Sequence, residues 1–365
     1  MDNHSQYMQK AIELAEQARG KCSPNPFVGA VIVKDSIIIG EGFTQEYGSD
    51  HAEVQAIKNA TADCSGASMY VTLEPCSHFG KTPPCAKAII DSGINSVIVG
   101  IKDPNPLVSG KGIQMLEDAG IKAETGLLAD VITKQLEYYL TFITKKRPYV
   151  VLKTATTLGG RIAAEDGSSR WISCEDSRKR THELREEADA IITGIGTVLN
   201  DNPMLNVRLD NPYKQPLRVI LDTKCRLPLD CNIALTSDKQ KTILFSAAEY
   251  VKPEKEKNLA ALGVEIVKTE TSGTHLNIDM ILNELYNRNI SAILLEAGSN
   301  LNSAFLNARL VDKIIMFIAP KLLGGNNMAW HNIGIDNIEK AIYLTDMGIE
   351  KSGSDFVLTG YPVYN

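Results

Sequence analysis

Two short stretches near the amino terminus gather the residue types that hold a soft metal. His51-Ala52-Glu53 opens an amphipathic segment, and Glu74-Pro75-Cys76-Ser77-His78-Phe79-Gly80-Lys81-Thr82-Pro83-Pro84-Cys85-Ala86 follows it. One imidazole and two thiols, His51, Cys76 and Cys85, make a zinc set. Three protein ligands leave a fourth tetrahedral position for water, which is the pattern of catalytic rather than structural zinc. Each ligand is expected at or near a helix start, where the positive end of the helix favours a thiolate. Glu53 lies two residues after His51. On a first helical turn it reaches a metal-activated water without ligating the metal, so it reads as the catalytic proton carrier. A lone H-x-E or Pro-Cys is common by chance, and buried inert cysteine is the usual fate of that residue. The conjunction of a helix-opening H-A-E, a strand, E-P-C and a helix-opening P-P-C is far rarer. His78 is a substitute ligand or, the preferred reading, a substrate contact or loop residue. The other cysteines and histidines, Cys174 and His182 among them, read as packing or surface residues.

The elements that must position these groups follow from periodicity and punctuation. A helix is predicted over 4–19, a hairpin over 30–40, and helices from 51 to 60, 85 to 92, 111 to 119 and 130 to 144. Strands are predicted at 69–73 and 96–100, so strands alternate with helices and an α/β sheet is implied. Lys145-Lys146-Arg147-Pro148 marks a boundary, dividing the chain into 1–146 and 147–365. The second half repeats the alternation, with strands from 149, at 190–193, 217–221, 242–245, 292–296 and 314–318. Ser173-Cys174-Glu175-Asp176 resembles a capping box for a helix ending near 188.

Length and charge bound the rest. A chain of 365 residues implies about two domains, and 44% hydrophobic with 22% charged residues is globular stock. No run approaches the ~18 apolar residues of a membrane helix, and the first twenty residues, polar and acidic among short apolar steps, are not expected to act as a signal peptide. A soluble, cytoplasmic protein with no membrane partner is expected. Net charge −6 argues against nucleic acid as a partner, and seven cysteines without a secretory signal argue against a disulfide framework.

The second half has two glycine loops after strands: Gly194-Ile195-Gly196-Thr197 and Gly298-Ser299-Asn300, the latter opening a helix. Both can present amides to phosphates or merely make turns. The first lacks the third glycine of a dinucleotide fingerprint. Lys153, Arg185 and Arg208 are cations able to grip a substrate phosphate, with a solvated surface as the commoner fate of such residues.

P-C-S-H-F-G-K-T-P-P-C, with H-A-E and Pro24-Asn25-Pro26-Phe27-Val28-Gly29 upstream, resembles the bifunctional deaminase/reductase family of riboflavin biosynthesis. The eight-residue insertion between the cysteines departs from the P-C-x-x-C of other zinc deaminases. Residues 167–173, 196–203 and 294–298 resemble the family's reductase half. The resemblance implies a cytidine-deaminase-like three-layer domain followed by a dihydrofolate-reductase-like domain. The first would deaminate 2,5-diamino-6-ribosylamino-4(3H)-pyrimidinone 5′-phosphate with Zn2+. The second would use NADPH to reduce the ribosyl group to ribityl. It implies substrate contacts at Asn25, Lys81, Thr82, Lys153, Ser169, Arg185, Leu205, Arg208 and Glu296. It implies cofactor contacts at Ala155, Trp171, Thr197, Asp201, Gly298, Ser299, Asn300, Leu301, Asn302, Ser303 and Ala304. Lys153 and Asp201 are both open as proton donor for the reduction. A homo-oligomer is expected. One position departs: the family's S-L-D-G is here Thr157-Leu158-Gly159-Gly160, and losing the acid predicts a weaker reduction. Two rivals stand beside this reading. One is a zinc deaminase of another nucleoside or nucleotide with a non-catalytic second half. The other is a zinc-stabilised scaffold.

Overall fold

The computed structural model describes residues 3–79 and 83–364. The chain divides into two compact units, Met1–Arg147 and Pro148–Asn365.

In the first unit α1 (Asn3–Glu16) precedes a hairpin of β1 (Gly29–Lys34) and β2 (Ile37–Phe43), then α2 (Ala52–Lys58) and β3 (Ser68–Leu73). There follow α3 (Cys85–Asp91), β4 (Ser96–Ile101), α4 (Lys111–Asp118), β5 (Lys122–Thr125), α5 (Ala129–Gln135) and α6 (Glu137–Lys145). The strands form one sheet in the order β2-β1-β3-β4-β5. β1 runs antiparallel to both its neighbours, while β3, β4 and β5 are parallel. β1 and β3 are apolar and buried along nearly their whole length, as strands covered on both faces must be. Met8, Ile32, Met69, Ile89, Leu116 and Leu136 join the helices to this sheet in one core. The helix expected over 130–144 is two helices. Leu136 takes a non-helical turn (φ −93°, ψ 15°) between α5 and α6, and it is fully buried, so packing overrides a locally continuous helical pattern. β5 was not anticipated: Lys122-Ala123-Glu124-Thr125 is an exposed edge strand with no buried face to pattern it.

The second unit begins with β6 (Tyr149–Thr157), α7 (Glu175–Glu187), β7 (Ala190–Gly194), α8 (Ile195–Asp201) and β8 (Leu217–Leu221). Next come α9 (Asn232–Leu235), β9 (Thr242–Ala247), α10 (Pro253–Ala261), β10 (Val264–Thr269) and a small ribbon of β11 (Thr271–Ser272) and β12 (His275–Leu276). The chain closes through α11 (Ile278–Asn287), β13 (Ala292–Leu295), α12 (Ser299–Asn307), β14 (Lys313–Ala319), β15 (Tyr343–Ser352) and β16 (Asp355–Val363). Nine strands form one sheet, β10-β9-β8-β7-β13-β6-β14-β16-β15. It is parallel from β10 to β14; β16 and β15 then run antiparallel. Inserting β13 between β7 and β6 brings the carboxyl ends of three strands far apart in sequence to one rim, where α/β sheets bind ligands. The expected capping box is absent. α7 is capped at Cys174, whose side chain makes no cap bond; instead the Asp355 carboxylate, from β16, accepts the Cys174 amide at 2.8 Å. A distant acid thus replaces the local one. No helix among the described residues is long and apolar enough to cross a membrane.

Candidate active site

The first unit's ligand residues converge. His51 is the N-cap of α2, Cys85 is the first residue of α3, and Cys76 lies in the loop just past β3. Cys76 is therefore not at a helix start as expected, but the first amide of α3 (Cys85 N) donates to its Sγ at 3.3 Å. His51 Nδ1 lies 3.2 Å from Cys85 Sγ and 3.7 Å from Cys76 Sγ, and all three ligand atoms fall within 4.8 Å of one another. Tetrahedral bonds of about 2.1 Å to nitrogen and 2.3 Å to sulfur give edges of roughly 3.5–3.8 Å, so the set fits zinc. His78 is outside that set and lines the cavity beside it.

The electrostatics agree with a cation site. The Cys85 thiol and then the His51 ring stabilise the Cys76 thiolate and hold Cys76 well below the ordinary thiol range; burial opposes them. The Cys76 contact, and the charges of Glu53 and Cys76, lift His51 to about 9. Burial lifts Glu53 to about 7; it is only 4% exposed.

These groups open into a cavity of about 310 Å³. Asn25, Glu53, His51, Cys76 and His78 line it, as do Asp103, Asn105 and Tyr139. Lys81 and Thr82 lie outside the described residues. Asp103, Asn105 and Tyr139 have no role among the sequence-based expectations, which place Tyr139 only within a helix over 130–144. Asp103 is 5% exposed, and the Tyr139 hydroxyl donates to both its carboxylate oxygens at 2.9 and 3.0 Å. Burial raises the Asp103 carboxyl above the usual carboxylate range.

In the second unit the structure joins some of the expected residues. Arg185, on α7, grips Glu296, just past β13, through two bonds of 2.6 and 2.9 Å. Lys153, on β6, lies 3.8 Å from the same carboxylate. Burial alone would raise Glu296, but the charges of Arg185 and then Lys153 outweigh it and hold Glu296 at about 2. Burial also lowers Lys153. Arg208 adds a third cation. His182, dismissed as structural from sequence, faces this group, and its Nδ1 accepts the Arg208 amide at 3.3 Å. Burial and then the charges of Arg185 and Arg208 depress it to about 4.

The segment 204–208 that carries Leu205 and Arg208 is held from behind. Leu205 is buried in the left-handed region (φ 49°). The carbonyls of Met204, Leu205, Asn206 and Val207 accept in turn from Arg218, Gln240, Arg185 and Gln215. Arg218 is fully buried on β8 with no acid beside it. It donates to Thr242, Thr236, Met204, Ile233 and Gln240, which takes up all five of its N–H groups.

The remaining expected cofactor contacts lie on separate elements. Ala155 is two residues along β6 from Lys153, on the same face. Thr197 and Asp201 are on α8, whose N-cap is Gly194. Gly298 is the N-cap of α12, and Ser299, Asn300, Leu301, Asn302, Ser303 and Ala304 form its first turns. Trp171 is 60% exposed, and the guanidinium groups of Arg170 and Arg178 lie 5.8 and 4.7 Å from its ring. Ser169 precedes it in the loop between β6 and α7.

Comparison with known proteins separates the halves in the same way. Residues 1–101 match the cytidine and deoxycytidylate deaminase zinc-binding region, and 148–358 match the RibD C-terminal domain. The riboflavin biosynthesis protein RibD of Aquifex aeolicus is 41% identical over 352 residues, 96% of each chain. Its counterpart in Bacillus amyloliquefaciens is 42% identical over 98% of this chain and 95% of its own. Among solved structures, a diaminohydroxyphosphoribosylaminopyrimidine deaminase/5-amino-6-(5-phosphoribosylamino)uracil reductase from Thermotoga maritima is 38% identical and superposes with a TM-score of 0.88 over 99% of both chains. RibD of Acinetobacter baumannii gives 0.89 at 38% identity over the same share. A two-domain α/β fold, a histidine and two cysteines set for zinc, and this likeness along nearly the whole length place the chain in the RibD family of bifunctional riboflavin-biosynthesis deaminase/reductases.

Proposed function

We infer that the chain carries both activities of its family. It hydrolytically deaminates a diaminopyrimidinone ribosylamine phosphate in the first unit and reduces the ribosyl group of the product in the second. The observation that carries this is the convergence of His51, Cys76 and Cys85 within 4.8 Å of one another, with His51, Cys76 and the buried Glu53 lining one cavity.

His51, Cys76 and Cys85 would hold zinc, and bound zinc supplies the Lewis acidity that brings a water's proton within reach of a carboxylate. The chain's own part is proton traffic and orientation. Glu53, which burial holds near neutrality, takes one proton from the attacking water and gives it to the pyrimidine ring nitrogen; it then takes the second proton, from the hydroxyl added at the ring carbon, and gives it to the amine, which leaves as ammonia. Asn25, His78 and Asp103 line the cavity that fixes the ring, and Lys81 and Thr82 belong to the same reading as substrate contacts.

In the second unit NADPH would deliver hydride to the sugar carbon, since hydride chemistry belongs to the cofactor and the protein orients it. The residues at the rims of β6, β7 and β13 supply the cofactor contacts: Ala155, Thr197, Asp201 and the first turns of α12, with Trp171 from the loop. Three cations, Lys153, Arg185 and Arg208, around the single carboxylate of Glu296 leave net positive charge for the substrate phosphate. Ser169 and Leu205 complete the substrate side. Of the two donors considered, Lys153 is favoured over Asp201: burial lowers its pKa, so it gives up a proton more readily. A homo-oligomeric, cytoplasmic enzyme is part of this reading.

A paired assay tests it. Zinc-loaded protein is offered the diaminopyrimidinone ribosylamine phosphate with NADPH, and ammonia and NADPH oxidation are followed together. Ammonia followed by oxidation is expected. Ammonia without oxidation would remove the reductase assignment, and no ammonia from folded, zinc-replete protein would remove the substrate assignment.

A further inference from the structure

The E-P-C run contains one residue to which the mechanism gives no task. Glu74 directly follows β3, two residues before Cys76, and is 4% exposed. Its Oε1 accepts the amides of Gly112 and Ile113 at 3.0 and 3.4 Å. Its Oε2 accepts those of Gly110 and Asp103 at 3.0 and 3.2 Å. Gly110, Gly112 and Ile113 are the cap and the first turn of α4, whose leading amides have no partner within the helix. Asp103 begins the loop that presents Asp103, Asn105 and Val108 to the cavity. The close approach depends on Gly112: a Cβ there would lie 1.9 Å from the Pro75 carbonyl oxygen. Asp103 is then aimed by its neighbours, accepting from the Asn105 amide at 2.9 Å as well as from Tyr139.

One carboxylate therefore fastens the segment that delivers a metal ligand to the segment that forms the facing wall. A helix cap alone would need only the α4 amides. The fourth bond, to Asp103, reaches the cavity wall directly. We propose that Glu74 is a positioning residue for the deamination. It fixes the Asp103–Val108 wall relative to Cys76, and so sets how tightly the pyrimidine is held. It acts through these neighbours, because its own oxygens are occupied by main-chain donors.

The proposal rests on the deaminase reading of this cavity, and the test separates the two. Glu74→Gln is isosteric but turns an NH₂ group toward two N–H donors. In the full-length, zinc-loaded protein the expected result is a KM for the diaminopyrimidinone substrate raised at least tenfold, with kcat changed less than threefold. Zinc content should remain one per chain, and NADPH oxidation with pre-deaminated substrate should be unaffected. Hydrogen exchange at Gly110, Gly112 and Asp103 should quicken, which a role confined to the metal ligands would not produce. Glu74→Asp keeps the charge and shortens the reach, and should fall between the two. Wild-type KM in folded Glu74→Gln would overturn the proposal, as would KM, kcat and zinc content failing together. If neither variant folds, Glu74 is a folding residue and the proposal is again overturned. Wild-type protein that releases no ammonia would instead sink the deaminase reading.

Discussion

The two sites arrange charge in opposite ways. In the first unit electron-rich groups are drawn together, two thiols and a carboxylate around an imidazole, and every one lies between His51 and Cys85. In the second, cations from β6, α7 and the segment before β8 are drawn together around one carboxylate just past β13. A metal demands ligand atoms a few ångströms apart, which the chain supplies most cheaply from neighbouring loop and helix ends. An anionic substrate tolerates looser spacing but needs rigid supports, and a broad parallel sheet gives those from strands remote in sequence. The first design therefore leaves a motif, and the second leaves scattered residues whose meaning appears only on folding.

The sharpest way to break the comparison is to silence one site alone. Glu53→Ala should lower ammonia release by about 100- to 10,000-fold while NADPH oxidation with pre-deaminated substrate stays at the wild-type rate. Loss of both in folded protein would show that the sites are not independent. Next in size is the support behind the second site. Arg218→Met leaves the Met204 carbonyl without its donor, at about 1–3 kcal/mol for an unsatisfied buried group, and takes one of two donors from the Ile233 and Gln240 carbonyls, which keep Ser237 and Thr242. Denaturant unfolding should show a loss of roughly 2–4 kcal/mol confined to the second unit. An unchanged midpoint would mean that the segment 204–208 holds its shape unaided.

A smaller effect follows from His182. Its folded pKa, about 4, lies below the ~6.5 of an unfolded histidine. Between those values the unfolded chain binds a proton that the folded chain refuses, so stability falls as pH drops from 6.5 toward 4. His182→Asn should flatten that part of the stability curve, measured by urea midpoints at pH 7.5 and 5; parallel curves would remove His182 from the account. Smallest is Gly159→Asp. A Cβ there meets only Arg161 Nη1 at 3.5 Å and a carbonyl beyond it, and the backbone is unstrained. The variant should fold and raise reductase kcat/KM by a few-fold; unchanged kinetics would mean that the glycine costs this enzyme nothing.

What the sequence revealed follows the same division. The zinc set and Glu53 were legible because their spacing is short and their chemistry is narrow. The parallel strands were legible because continuous apolar runs such as 292–295 belong to buried strands. Three kinds of feature were not. β5 and the exposed β15 carry little apolar patterning. The break at Leu136 is a tertiary choice. Asp103 and Tyr139, like Arg218 and its five acceptors, are partners distant along the chain, and no local rule pairs them.

The Asp103–Tyr139 bond also bears on how this catalyst can be divided or transplanted. The deaminase zinc-binding region ends at residue 101, yet Asp103, Asn105, Val108, Tyr139, Phe142 and Ile143 line the same cavity. A chain cut just after β4 would retain all three metal ligands and Glu53 and still lack the far side of its pocket. It would also lose Leu116, Ile132 and Leu136 from the core, so such a fragment should turn over poorly. The smallest portable catalytic module therefore runs to the end of α6, and gene fusions or domain exchanges that join the unit elsewhere should keep that last helix with it.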